Sequence, residues 1–94
     1  MRHARDEDLD RLEDLLVVLR GVDEITEKRR GVFSRKSAAF LHFHADPTGM
    51  YADIRTTDGW RRYPLSSAAQ RRSMMADARA VLAGRRARGG DPVD

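Results

Sequence analysis

Between Val32 and Leu65 apolar and polar residues alternate with a period of two, broken only where the chain has residues suited to reversing direction. The clearest part runs Phe40-Leu-His-Phe-His-Ala-Asp-Pro-Thr-Gly-Met-Tyr-Ala-Asp-Ile-Arg55. If Asp46-Pro-Thr-Gly49 is the turn, Pro47 fixes φ and Gly49 is free to take positive φ. Ala45 then faces Met50, Phe43 faces Ala52 and Leu41 faces Ile54, three apolar pairs. The alternate pairs are His44 with Tyr51, His42 with Asp53 and Phe40 with Arg55, so one face is a core and the other is open. A slip of one residue would turn every apolar side chain of the hairpin to solvent. No other segment restricts the fold as strongly.

Two further turns extend the hairpin into a meander. Asp58-Gly59 as a two-residue type I′ turn sets Ile54 opposite Tyr63 and Ala52 opposite Leu65, again on the apolar side. A turn near Lys36-Ser37 sets Val32 opposite Leu41 and Phe33 opposite Phe40. The expected strands lie near 31–36, 38–45, 50–57 and 60–65. Before them, Leu9, Leu12, Leu15, Leu16 and Leu19 have helical spacing over about Asp6 to Arg20, and Gly21 is placed to end the helix. Residues 22–31 form a polar connection with Val22 and Ile25 against the core. After the strands, Ser67-Ala-Ala-Gln70 fits a capping box for a second helix with an apolar stripe of Met74, Met75, Ala78, Val81 and Leu82, closed by Gly84. The expected fold is α+β: a two-layer sandwich of helix, four-stranded antiparallel meander and helix, both helices on one sheet face. Residues 1–84 form the single domain, and the basic, then Gly/Pro-rich segment 85–94 is expected to be a disordered tail.

Ninety-four residues suffice for one core and one working surface. The absence of cysteine excludes disulfides, thiolate metal sites and cysteine nucleophiles. No apolar run reaches membrane-span length and no signal-peptide pattern opens the chain, so the expected location is cytoplasmic, with no membrane partner. The seven glycines form no phosphate-binding or dinucleotide fingerprint, and no serine lies in a nucleophile elbow. Charge is divided unevenly: residues 1–27 hold nine acids against four arginines, and the remainder holds fourteen bases against six acids. Such a division can steer an anion such as nucleic acid toward the second half. Arginine outnumbers lysine sixteen to two, a genome-composition effect that makes arginine positions more informative than their number.

On the open face the pattern places Phe33, Phe40, Arg55 and Arg62 in one row, His42 and Asp53 in the next, His44 and Tyr51 in a third, and Trp60 at the far end. Aromatic rings among arginines suit single-stranded nucleic acid or another anionic ligand, with stacking on Phe40 and Tyr51 and phosphates at Arg55 and Arg62. The first expectation is thus a non-catalytic binding module that needs no cofactor. A homodimer closed through the same face is the structural alternative. The enzyme alternative uses His42, His44 and Asp53 as a metal-dependent or acid/base site, since residues two apart on a strand share a side and His42 faces Asp53. That reading lacks a third ligand: Asp46 is occupied in the turn, and His3 falls near the start of the chain, where fraying is expected.

The segment GVFSRKSAAFLHFHADPTGMYADIR resembles a pattern found in small bacterial proteins: GVF-x-R-K, F-L-H-F-H, D-P-x-G and A-D. The resemblance covers about residues 31–65 and implies no activity, cofactor or site residue.

Overall fold

The computed structural model describes residues 1–93, and Asp94, the end of the expected tail, lies outside the described residues. The chain is α+β, with a seven-stranded antiparallel sheet and three helices in place of the expected four strands and two. The elements are β1 (Arg2–His3), α1 (Asp6–Asp10), α2 (Glu13–Arg20), β2 (Thr26–Arg29), β3 (Val32–Arg35), β4 (Ala38–Asp46), β5 (Gly49–Thr56), β6 (Gly59–Pro64), α3 (Ala68–Leu82) and β7 (Asp91–Pro92). The sheet runs β2-β3-β4-β5-β6-β7, and β1 also pairs with β4. Since β5 occupies the other side of β4, β1 and β3 share one side end to end, β1 at His44 and Ala45 and β3 at Ala38 to His42.

The β4–β5 register is the one that the apolar alternation demands: Leu41 opposite Ile54, His42 opposite Asp53, Phe43 opposite Ala52, His44 opposite Tyr51 and Ala45 opposite Met50. The next hairpin reverses one residue earlier than expected. Thr56 pairs with Gly59, so the loop residues are Thr57 and Asp58, and Ala52 faces Tyr63 while Ile54 faces Arg61. The Thr56 hydroxyl accepts from the Asp58 N–H and donates to the Gly59 carbonyl, an ST-type turn that competes with the Asp-Gly geometry. The shift is two positions in pairing, so it preserves faces and changes partners: Arg62 now lies opposite Asp53.

The third hairpin corrects the expectation more deeply. Lys36 and Ser37 form its turn, both with positive φ, but the register changes between Phe33 and Ser34, from Phe33–Leu41 to Ser34–Ala39. Phe40 is left over as a β-bulge. The extra residue ends the strict alternation, and Phe40 and Leu41 are both buried in the core. Phe33, shifted by one against the expected pairing, is fully buried as well.

One apolar cluster joins Leu9, Leu12, Leu15, Leu16 and Leu19 to Phe33, Leu41, Phe43, Ile54, Tyr63 and Leu65 and to Met74, Met75, Ala78, Val81 and Leu82. The expected first helix is divided at Arg11–Leu12, where Arg11 N–H and Leu12 N–H bond carbonyls three residues back and tighten the turn. Its acids face arginines: Arg30 reaches Asp6, Asp10 and Glu13, and Arg20 joins Glu13 to Glu27. Gly31, at φ +77, turns β2 into β3 so close to Leu9 that a Cβ would stand 2.7 Å from its Cδ2. Ser67 caps α3 with the expected Gln70 capping box.

The segment expected to be a disordered tail is docked. The buried Asp77 carboxylate accepts from Tyr63 Oη (2.7 Å), Gly89 N–H (2.8 Å) and Arg88 N–H (3.0 Å). Arg61 donates to the carbonyls of Gly89 and Gly90, and β7 then pairs with β6. Burial alone would raise the Asp77 pKa, but the three donors outweigh it and hold it below the usual carboxylate range. No helix among the described residues is long and apolar enough to cross a membrane.

Candidate functional site

The open sheet face carries a side-chain cluster whose assembly follows from the registers. His42 and His44 project from alternate positions of β4, Asp53 from β5 opposite His42, and Arg62 from β6 opposite Asp53. β1 adds the residue that the alternation could not supply, for His3 pairs with His44 and therefore projects to the same side. Ala4 N–H bonds the Phe43 carbonyl, and the Arg2 guanidinium is held by Asp8, so this short strand is fixed at both ends.

The three histidines are the whole imidazole complement of the chain, and they converge. Ring centroids lie 4.6 Å apart for His3–His44, 4.7 Å for His42–His44 and 5.5 Å for His3–His42. One nitrogen from each falls within 4.8 Å of the other two. Nitrogens bound to one tetrahedral ion at about 2.0–2.1 Å stand about 3.3 Å apart, so side-chain rotation must bring each pair closer by up to roughly 1.5 Å.

Among the described residues, the buried side-chain nitrogens and oxygens around the rings have hydrogen-bond partners with one exception. Arg62 grips Asp53 with two parallel bonds of 2.8 Å, Nε to Oδ1 and Nη2 to Oδ2. Asp53 Oδ2 also lies 3.2 Å from His44 Nε2, the carboxylate–imidazole arrangement that orients a metal-binding ring. His42 Nδ1 is the exception: it is buried with no hydrogen-bond partner among the described residues. Burial, together with the neighbouring His44, pushes the His42 pKa down to about 4, and burial lowers His44 against the opposing Asp53 charge. Both rings are therefore neutral at physiological pH, the form in which an imidazole offers a lone pair.

The remaining candidates separate into those the structure gathers and those it removes. Trp60 packs on His42 with centroids 4.8 Å apart, and the exposed Arg55 lies over Trp60 at 4.9 Å, a cation–π contact. Tyr51 is half-buried on this face, its hydroxyl hydrogen-bonded to Thr48. Phe33 and Phe40 are not on this face at all, because the bulge and the one-residue offset send both into the core. Arg62 is there but bound to Asp53, and it shares the row of His42 instead of that of Arg55. His3 is the site residue that the sequence pattern missed. A two-residue strand has no periodicity to detect, and the one available signal was that the chain has a single histidine outside its His-x-His pair.

No protein-family model matches the sequence, and comparison with curated proteins and with solved structures finds no match.

Proposed function

We propose that this protein is a transition-metal-binding module whose site is His3, His42 and His44 on the outer face of the sheet. The observation that carries this reading is the convergence of all three imidazoles, one nitrogen of each within 4.8 Å of the other two, in a cluster whose His42 also has a buried Nδ1 with no hydrogen-bond partner among the described residues. An orphaned buried nitrogen costs about 1–3 kcal/mol unless something meets it, and a cation bound to its lone pair removes that cost. Imidazole ligands suit zinc, copper and nickel ions, and the lack of thiolates and of carboxylates in the ligand set argues against softer or harder ions. Asp53, clamped by Arg62, would orient His44.

The geometry favours binding over turnover. Three neutral ligands leave a further coordination position, but Asp53 has both oxygens engaged by Arg62 and is no free base. The nucleic-acid reading of this face loses Phe33 and Phe40 as stacking platforms and Arg62 as a phosphate contact. The homodimer reading loses the same apolar surface.

The test is titration of untagged protein with Co²⁺, followed by d–d absorption and by displacement with Zn²⁺. One equivalent is expected to bind with a tetrahedral or five-coordinate spectrum. His42→Ala and His3→Ala are each expected to weaken binding beyond the roughly 10- to 100-fold that a supporting change such as Asp53→Asn produces. A folded protein that gives no spectrum, or one that keeps it in the His3→Ala/His42→Ala/His44→Ala variant, would overturn the reading.

A further inference from the structure

Three arginines of the first half of the fold are neutralised in place, Arg2 by Asp8, Arg20 by Glu13 and Glu27, and Arg30 by three acids, while Arg5, Arg11 and Arg29 are exposed at separate points of the chain without an ion pair among the described residues. On α3 and the loop that follows it, unpaired arginines gather instead. Arg72, Arg79, Arg85, Arg86 and Arg88 are exposed, and their side chains make no ion pair or hydrogen bond among the described residues. Genome composition accounts for how many arginines a chain has, not for why five of the uncommitted ones share a surface.

Their placement follows from two structural facts. Positions 72, 76, 79 and 83 of a helix lie on one stripe, here Arg72, Ala76, Arg79 and Ala83, all exposed and opposite the buried Met74, Ala78 and Val81. The two arginines are about 10 Å apart along the axis. Arg85, Arg86 and Arg88 are then brought beside the same helix because Asp77 and Arg61 pin the chain at Arg88, Gly89 and Gly90. A segment whose composition alone predicts disorder is thus held in one place, so that its guanidinium groups are preorganised. Two concavities meet at Ala76 on this surface: one of about 570 Å³ edged by Arg71, Arg72 and Arg79, the other of about 610 Å³ edged by Arg85, Arg86 and Arg88. The acids in their linings are Asp14, on α2 beside Arg71, and Asp77, already consumed by its three donors.

We propose that the exposed stripe of α3 and the loop 83–88 form a second binding surface, separate from the histidine site, for the phosphate backbone of nucleic acid. Guanidinium forks match phosphate oxygens in pairs. A spacing of about 10 Å spans roughly three nucleotide steps of 3.4 Å, so Arg72 and Arg79 reach different phosphates. Aromatic side chains are lacking among the concavity linings, so base stacking plays no part and binding is independent of sequence. An anionic membrane is the less favoured partner, since the large exposed apolar residues other than Met1 are Val17 and Val18 on α2, outside the arginine stripe.

The experiment is fluorescence anisotropy of a short labelled DNA duplex of arbitrary sequence with the full chain, at salt between roughly 50 and 200 mM. Five phosphate contacts give a slope of log affinity against log salt near −4.5, a loss of about 500-fold over that range. Arg72→Ala/Arg79→Ala is expected to bring the slope to about −2.7, as is Arg85→Ala/Arg86→Ala, which keeps the test independent of changes within the helix. Arg55→Ala, on the opposite sheet face, is expected to leave it unchanged. Absence of duplex binding at the lower salt, a slope indifferent to both double variants, or equal weakening by Arg55→Ala would each overturn the proposal. So would binding to vesicles containing anionic lipid without binding to the duplex.

Discussion

The outer sheet face and the outer stripe of α3 are both rich in cationic or protonatable groups, yet they are built in opposite ways. On the sheet, each side chain answers another: Arg62 holds Asp53, Asp53 faces His44, and Arg55 covers Trp60. What is left over is one buried nitrogen. On the outer stripe of α3 and its following loop, Arg72, Arg79, Arg85, Arg86 and Arg88 are exposed and their side chains have no partner among the described residues, whereas Arg71 at the edge of the stripe is held by Asp14 and the Leu65 carbonyl. As proposed, the first takes a small ion that fits between fixed atoms, whereas the field of the second reaches about a Debye length into solvent. Burial makes the difference. A group at 4% exposure such as the Asp53 side chain must be paired to exist there, whereas an exposed arginine is hydrated and can wait for a partner.

The largest effect expected from breaking this contrast is at Asp53. Asp53→Ala leaves the Arg62 guanidinium, 29% exposed, without its bidentate partner and removes the group that orients His44. Loss of one member of such a buried pair costs roughly 3 kcal/mol, measured as the shift in urea unfolding. Asp53→Asn, which keeps the shape, is expected to lose less. A variant as stable as the wild type would mean that the sheet face is no more tightly built than the helix face.

Next in size is Asp77, which supports the arginine surface from below. Asp77→Ala strands the Tyr63 hydroxyl and the N–H groups of Arg88 and Gly89, with an expected loss of about 2 kcal/mol. Hydrogen exchange should then become fast at Arg88 and Gly89 while the β4–β5 amides stay protected, showing that the segment carrying Arg85, Arg86 and Arg88 is released as a unit. Uniform exchange throughout would instead make Asp77 a general core residue.

Acid provides a smaller, graded version of the same experiment. The Asp77 carboxylate has a pKa below its unfolded value, so its contribution is complete above the unfolded pKa and is lost as pH falls through the folded one. Exchange at Arg88 and Gly89 should therefore rise in the acidic range, below the ordinary titration of aspartate, and Asp77→Asn should abolish that pH dependence. Release beginning near neutrality would assign the docking to another group.

The contrast between faces was only partly legible in the sequence. The β4–β5 hairpin was, because each of its apolar residues votes for one register and a slip of one residue reverses them all. That placed His42, His44 and Asp53 correctly. Alternation is blind to an even shift, so the Thr57-Asp58 loop moved Arg62 to Asp53 without disturbing any face. It is also blind to a bulge, which is how Phe40 and with it the expected stacking surface disappeared into the core. His3 and the segment 85–93 were hidden for a different reason: both are held by pairings to distant residues, His44 and Ala45 in one case and Asp77 and Arg61 in the other. Composition near a chain end describes the segment's own preferences and says nothing of such partners.

The smallest expected effect lies on α3 itself. If Arg72 and Arg79 take no part in the fold and repel the neighbouring Arg85, Arg86 and Arg88, then Arg72→Ala/Arg79→Ala should not weaken the protein. It should stabilise it by a few tenths of a kcal/mol at low salt, and the gain should vanish at high salt as the repulsion is screened. Urea midpoints of the double variant and wild type at the two salt concentrations measure this directly. A destabilisation that persists in high salt would place these arginines among the groups that hold the structure together, as Arg62 is, and would erase the distinction between a surface built to be satisfied within the fold and one left free for a partner.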